Sequence, residues 1–187
     1  DHKGNRLFPN KGLIIPDMCR AITKNGLVTE VRNKIDHTEN FNLYLKKLIN
    51  AYSTIKIPII LGINVPIKGQ YYGHAVAICG HREDSYESLQ KKTGIISSVF
   101  DCILPSPKHE VRWFAERISE FYVHDDQWGP FARMSFVGND QLTSPWTENT
   151  EEENNCDAIA VIIPVFPKIR ISYDDIEPLI IGVDKIF

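Results

Sequence analysis

Short β-branched apolar segments recur along the whole chain, and they constrain the fold more than any other feature. Residues 56–63 and 71–80 are nearly continuous runs of this kind, and similar segments lie at 27–32, 120–124, 131–137, 158–163 and 168–172. Segments of this length and composition, bounded by glycine, proline and polar residues, predict β-strands. No internal repeat relates them. We therefore expect a mainly antiparallel sheet.

Two helices are predicted ahead of most of these strands. Asp17 is the expected N-cap of a short helix that Gly26 ends. Between residues 39 and 52 the apolar side chains recur at helical spacing and form one stripe, which consists of Phe41, Leu45, Leu48, Ile49 and Tyr52. Helices followed by strands predict an α+β fold, in which the helices pack on a mainly antiparallel sheet.

The length and the apolar content fit a single domain over residues 1–187. A chain of 187 residues with 43% hydrophobic residues can bury one core. Residues 83–110 break the strand pattern and are predicted to be an excursion from it. Residues 147–155 contain almost no apolar side chains and are predicted to be a solvated acidic loop. The chain lacks an initiator methionine, and we expect that it continues before residue 1.

The composition excludes several classes of partner. The formal charge is −3 without long single-sign runs, so we expect no binding of nucleic acid. The apolar stretches at 55–65 and 158–166 contain prolines and are too short to cross a bilayer as helices, so no membrane association is expected. Four irregularly spaced cysteines without a CxxC motif indicate reduced thiols and a cytoplasmic location. We expect no cofactor.

A histidine that begins one apolar strand and a carboxylate that ends a later one form a candidate catalytic pair. Side chains alternate along a strand, so His74 shares a face with Val76, and Asp125 shares a face with Val123. If the two strands are neighbours, His74 meets Asp125 or Asp126. Such a carboxylate orients an imidazole that acts as general base. The simpler interpretation is a hydrogen-bonded core histidine beside a turn.

Three short motifs connect this pair to a known family. Gly-His-Ala-Val at 73–76 is followed by a glycine at position 80, Val-His-Asp lies at 123–125, and a proline-containing strand lies at 57–62. In these motifs, residues 43–131 resemble the papain-like cysteine peptidases, especially the bacterial branch related to the double-glycine-leader (bacteriocin-processing) peptidases. The resemblance implies a papain-like α+β fold and a thiol-dependent hydrolase that cleaves a peptide or protein substrate.

The resemblance also implies a Cys-His-Asp triad. His74 takes the position of the base and Asp125 that of the orienting acid. Asp126 is the rival for the second role, because residues 126–129 can be laid over the Asn-Ser-Trp-Gly of papain itself. Transglutaminase-like proteins share the order Cys, His, Asp, so acyl transfer to an amine is an alternative reaction.

The nucleophile of this triad has no clear match in the chain. The family cysteine begins a helix and follows a glutamine, and Cys19 is the candidate that lies before His74 and near a helix start. A buried supporting role is the simpler interpretation of Cys19. Cys79 points away from the histidine, and Cys102 and Cys156 come too late in the order of the family. The nucleophile is therefore expected to lie before residue 1 or to be lost.

Two further interpretations stay open at this stage. A non-catalytic papain-fold module would bind a peptide or protein partner, and its candidate contacts are Trp113, Phe114, Trp128 and Phe131, which are otherwise core or turn residues. A metal site would draw on three histidines and two aspartates, namely His74, His81, His124, Asp125 and Asp126. Neighbouring strand residues 124 and 125 face opposite ways and no ligand pair has helical spacing, so we expect no metal.

Overall fold

The computed structural model of the protein describes residues 13–36, 40–67, 69–84, 114–143, 155–168 and 174, and its strands form one antiparallel sheet. The helices are α1 (Ile15–Lys24) and α2 (Phe41–Thr54), with short 3-10 turns at Lys34–Asp36 and Phe114–Arg117. The strands are β1 (Val28–Asn33), β2 (Ile59–Ile67), β3 (Gln70–Glu83), β4 (Ile118–Asp125), β5 (Gly129–Val137), β6 (Gln141–Thr143) and β7 (Asn155–Val165). Within the described part of the chain, neither helix has the length and apolar content needed to cross a membrane.

Six of the strands close into a barrel. The strand order is β1-β7-β2-β3-β4-β5-β6, and β6 also pairs with β7. Leu142 of β6 lies opposite Cys156 of β7, and β1 continues along the same edge of β7, where Val31 lies opposite Ile162. Closure gives each of the strands β2 to β7 a partner on both sides, although β6 pairs with β5 only at Phe136 and Val137, and β1 keeps one unpaired edge among the described strands.

The predicted papain-like α+β fold is wrong. The sheet closes on itself, and α1 has no buried residue, so α2 is the one described α-helix that contributes to the core. The closing strand β6 has three residues, and Leu142 is its single apolar side chain. A strand this short carries no periodic signal, and periodicity in any case does not encode which strands pair. The sequence therefore predicted β1 to β5 and β7, but neither β6 nor the closure of the sheet.

Most predicted elements appear with shifted ends. The second helix begins after Asn40, whose side chain accepts a hydrogen bond from the backbone N–H of Leu43 at 2.9 Å. The prediction that Asp17 caps the first helix is wrong, because α1 begins at Ile15 and Asp17 lies within its first turn. Residues 85–110, 147–154 and 169–172, which hold most of the predicted excursion, the acidic loop and a last strand, lie outside the described residues.

Helix α2 lies across one end of the barrel. At its start the side-chain amide of Asn42 donates to the carbonyl oxygens of Val137, Gly138 and Gln141, at 3.3, 3.0 and 2.9 Å, in the turn between β5 and β6. Near its end Ser53 contacts His81 on β3. The buried stripe of the helix packs on inward-facing strand residues, which include Leu61, Ile63, Val76, Phe121, Val123, Met134 and Val161. The start of β3 and the end of β4 are therefore left at the other end of the barrel.

Candidate functional site

The structure brings His74 and Asp125 together on neighbouring strands. His74 lies opposite Ile63, which is fully buried, so the imidazole is on the inner face of the barrel. Asp125 ends β4 on the same face. Ala77 pairs with His124, which makes His74 a diagonal neighbour of Asp125, and such neighbours are within reach of long side chains. His74 Nε2 and Asp125 Oδ2 form a hydrogen bond.

Backbone groups hold the Asp125 carboxylate in place. Its side chain is completely buried, and Oδ1 accepts hydrogen bonds from the backbone N–H groups of Gln127 and Trp128, both at 2.7 Å. This is the local turn chemistry of aspartate, and the positive φ of Gly129 (83°) lets the chain continue into β5. Because Oδ1 accepts the two backbone hydrogen bonds of the turn, Oδ2 is the oxygen that faces His74.

This arrangement determines which nitrogen of His74 is able to accept a proton. An ionised carboxylate only accepts hydrogen bonds, so Nε2 carries the proton that bonds to Asp125. In the neutral imidazole Nδ1 then holds the lone pair. The His74 side chain is 19% exposed, which leaves part of the ring within reach of a reacting group. The pair can therefore abstract a proton at Nδ1 and stabilise the imidazolium that results.

Asp126 is not the hydrogen-bond partner of His74. Its Oδ1 lies 3.9 Å from His74 Nε2, and its side chain is 79% exposed. One ligand atom from each of His74, Asp125 and Asp126 nevertheless lies within 4.8 Å of the others. These three residues form the group in the described chain that is able to surround a cation.

None of the cysteines that the structure describes suits the role of nucleophile beside His74. Cys19 is on α1, which packs against β1 and β7, on the far side of β2 from β3. The Cys79 thiol donates to the carbonyl oxygen of Tyr122 at 3.3 Å, and burial raises its pKa. Burial, followed by the charge of Asp157, raises the pKa of Cys156 to about 12. Cys102 lies outside the described residues.

Cys156 is expected to resist alkylation in the folded protein. With its pKa raised to about 12, its thiolate fraction at pH 8 is about a thousandfold below that of an ordinary thiol. Mass mapping after treatment with iodoacetamide should show modification of Cys19, which is partly exposed, well before Cys156. The matched control is the same treatment in denaturant, where both residues should react. Equal rates in the folded protein would contradict the buried position of Cys156.

Exposed aromatic side chains lie close to the His74–Asp125 pair along the chain. Trp128, whose backbone bonds to Asp125, is 60% exposed, and Tyr72 is 49% exposed two residues before His74. Tyr71 is 68% exposed. Neither tyrosine belongs to the contacts that the sequence predicts, although adjacent tyrosines before Gly-His are a visible signal. Of the other predicted contacts, residue 113 lies outside the described chain, and the side chain of residue 114 is not described.

The two remaining histidines of the predicted metal site lie apart from His74. His81 is seven positions further along β3, roughly 23 Å away at strand spacing, where it contacts Ser53. His124 is exposed, and its ring lies 5.3 Å from the ring of Phe131. Phe131 has a φ of 66°, an uncommon value for a bulky residue. A metal site that uses all five residues is therefore not formed.

A groove of about 1330 Å³ lies elsewhere on the molecule. It runs between the turn after β1, the start of α2 and β7, and its lining includes Asn33, Lys34, Asn64, Asn139 and Asp157. Neither His74 nor Asp125 contributes to it. Its amides and charges are those of a solvated surface, and Lys34 Nζ is bonded within it to the carbonyl oxygen of Asp140 at 3.1 Å.

The chemistry of the site therefore rests on a buried carboxylate that orients a partly exposed imidazole at the end of the barrel opposite α2. His74 and Asp125 come from the adjacent strands β3 and β4, and the turn after Asp125 donates two backbone hydrogen bonds to its carboxylate. In comparisons with known proteins, no family model, no curated protein and no solved structure matches this chain.

Proposed function

We propose that this protein is a thiol-dependent hydrolase in which His74 is the general base and Asp125 orients it. The observation that carries the proposal is the completely buried Asp125 carboxylate, with one oxygen bonded to two backbone N–H groups and the other to His74 Nε2. A carboxylate held this firmly toward one nitrogen leaves the other nitrogen basic.

The reaction follows from this placement of protons. Nδ1 of His74 takes the proton from a thiol, and the thiolate attacks the carbonyl carbon of an amide or ester. The imidazolium returns the proton to the departing amine or alcohol as its bond to carbon breaks. Water then attacks the thioester with His74 again as base, which releases the acid and restores the thiol. If an amine takes the place of water, the same residues perform acyl transfer.

Cys102 is the nucleophile that we propose within this chain. In the papain-like peptidases the cysteine precedes the histidine, and this order excluded Cys102. The restriction does not apply here, because the papain-like fold is wrong. Cys102 is the cysteine that the described geometry does not exclude, because Cys19 lies on the far side of β2 from β3, and burial raises the pKa of both Cys79 and Cys156.

A peptide or protein segment is the substrate that the surroundings support. Trp128 and Tyr72, both about half exposed or more, lie next to the His74–Asp125 pair in the chain, and aromatic side chains are common contacts in protein recognition. We place the reaction in a reducing compartment, the cytoplasm, because the three cysteines that the structure describes are all free and a catalytic thiol must stay reduced.

Labelling with iodoacetamide at near-neutral pH tests the proposal, with intact mass and peptide mapping as the readout. We expect one fast label on Cys102, and we expect His74→Gln to slow it by about a hundredfold or more, because the thiol then lacks its base. The matched control is His124→Gln, which removes an exposed histidine on the outer face of the same barrel. A label rate that His74→Gln leaves unchanged, or uniformly slow labelling, would favour a non-catalytic binding module.

A metal-dependent hydrolase is the second candidate, because His74, Asp125 and Asp126 each have a ligand atom within 4.8 Å of the others. Three nitrogen and oxygen ligands plus water are typical of catalytic zinc sites. It ranks second because a metal would have to displace the hydrogen bond between His74 and Asp125. Titration calorimetry with Zn²⁺ separates the two, since Asp126→Asn should abolish metal binding but leave thiol labelling unchanged.

A further inference from the structure

His81, a second histidine of β3, takes part in a separate series of hydrogen bonds at the end of the barrel opposite His74 and Asp125. His81 Nδ1 lies 3.1 Å from Ser53 Oγ, and His81 Nε2 lies 3.3 Å from Glu83 Oε1. Ser53 is near the end of α2, whereas His81 and Glu83 are two positions apart on one face of β3. A hydroxyl, an imidazole and a carboxylate are thus connected in series, which is the arrangement that activates a nucleophilic serine.

The charge of Glu83 determines which groups donate and which accept in this series of hydrogen bonds. The carboxylate only accepts hydrogen bonds, so its contact with Nε2 requires the proton on that nitrogen. Nδ1 of the neutral imidazole is then an acceptor, and the hydroxyl of Ser53 is the donor. Ser53 Oγ has a second acceptor, the carbonyl oxygen of Asn50, at the longer distance of 3.5 Å. The hydroxyl proton is therefore directed at His81.

Nearby charges support the same roles. Arg117 Nη2 lies 3.8 Å from Glu83 Oε2 and places a positive charge beside the carboxylate. Ser53 lies in the last turn of α2, and His81 of β3 contacts it there. The helix dipole at this end favours a positive charge such as the imidazolium that forms when the serine loses its proton. The side chains of His81 and Glu83 are 16% and 29% exposed, so the group is partly accessible from solvent.

We propose that Ser53 is an activated nucleophile that reacts with carboxylic esters, with His81 as its base and Glu83 as the positioning residue. Ser53 Oγ forms a bond to the acyl carbon while its proton moves to His81 Nδ1. The bond from carbon to the alcohol oxygen breaks, and the departing alcohol takes the proton from His81. Water, activated by the same imidazole, then hydrolyses the acyl serine. This site is independent of His74 and Asp125, which lie at the opposite end of the barrel.

A fluorophosphonate probe tests this proposal, because it forms a stable bond to an activated serine oxygen with loss of fluoride. We expect an adduct at Ser53 by peptide mapping, its absence in Ser53→Ala, and labelling slowed by about a hundredfold or more in His81→Gln. His74→Gln should leave the rate unchanged, which separates this site from the proposed thiol chemistry. Thermal unfolding of each variant shows whether the fold is kept.

Two controls make the outcome decisive. Ser119, whose hydroxyl lies 3.5 Å from the carbonyl oxygen of Arg82, is a nearby serine outside the series, and Ser119→Ala should not change the labelling. In Glu83→Gln we expect the side-chain oxygen to face the Arg117 guanidinium and the NH₂ to donate to His81 Nε2. The imidazole proton of His81 should then move to Nδ1, a change that NMR detects and that a loss of packing alone would not produce. An adduct at Ser53 that forms no faster than at Ser119, or equally fast in His81→Gln, overturns the proposal.

Discussion

Asp125→Asn is expected to lower the rate of thiol labelling and of hydrolysis by about a hundredfold to ten-thousandfold with little loss of stability. The two backbone N–H groups of Gln127 and Trp128 require an acceptor, so the side-chain oxygen of asparagine takes the place of Oδ1. The amide NH₂ then faces His74 Nε2 and donates to it. The proton of the imidazole moves to Nδ1, and the lone pair that the mechanism needs is lost.

The matched control for this variant is Asp126→Asn. Asp126 neighbours Asp125 in the chain, but its side chain is 79% exposed and lies beyond hydrogen-bond distance of His74. Single-turnover labelling at constant pH should show no effect of the control. If Asp125→Asn retains the full rate, Asp125 does not position the base. If the two variants lose activity equally, the metal-dependent mechanism becomes the better account.

Asp125→Ala is expected to lower the free energy of unfolding by about 2–4 kcal/mol, because it leaves two backbone donors and His74 without their acceptor. For a chain of this size the loss corresponds to a fall in melting temperature of roughly 5–15 °C. Asp125→Asn should lose much less, since its oxygen still accepts from the turn. Chemical denaturation monitored by circular dichroism measures the difference.

Asp126→Ala is the control for stability. Substitution of an exposed side chain without a buried bond usually changes stability by less than about 0.5 kcal/mol. An Asp125→Ala variant as stable as this control would show that the turn does not depend on the carboxylate. In that case the buried hydrogen bonds at the end of β4 do not hold the base in place.

The pairing of His74 with Asp125 could be predicted from the sequence because it depends on two local rules. Side chains two positions apart share a face of a strand, and strands that follow each other in a sheet often pair. Residues 71–80 and 120–124 carried a clear strand signal, and the structure pairs them as β3 and β4. These rules left Asp125 and Asp126 both open, and the family resemblance favoured Asp125. In the structure Asp125 is the partner, because it shares the buried face of Phe121 and Val123.

Closure of the barrel could not be predicted in this way. It depends on β6, whose three residues include one buried leucine, and on the pairing of that strand with β7. Pairing between distant segments is a property of the whole sheet and leaves no periodic pattern in one segment. The amphipathic stripe of α2 was visible, but a helix that crosses a barrel end has the same pattern as one that packs on an open sheet. The predicted papain-like fold placed the helix on an open sheet, whereas in the structure the sheet is closed.

The series that connects Ser53, His81 and Glu83 was also not visible in the sequence. Ser53 lies 28 positions before His81, and the contact exists because α2 crosses the barrel end where β3 finishes. No spacing rule connects a helix end to a strand end. The closeness of His81 and Glu83, two positions apart on one strand, was the single local signal.

The imidazole protonation of His74 is the measurement that tests the central claim most directly. Two-bond ¹H–¹⁵N NMR spectra at neutral pH, with the His74 signals assigned by comparison with His74→Gln, distinguish the two tautomers. We predict a proton on Nε2 in the natural protein and a shift of that proton to Nδ1 in Asp125→Asn. A proton on Nδ1 in the natural protein, or a spectrum that Asp125→Asn does not change, would contradict the assignment of His74 as a base oriented by Asp125.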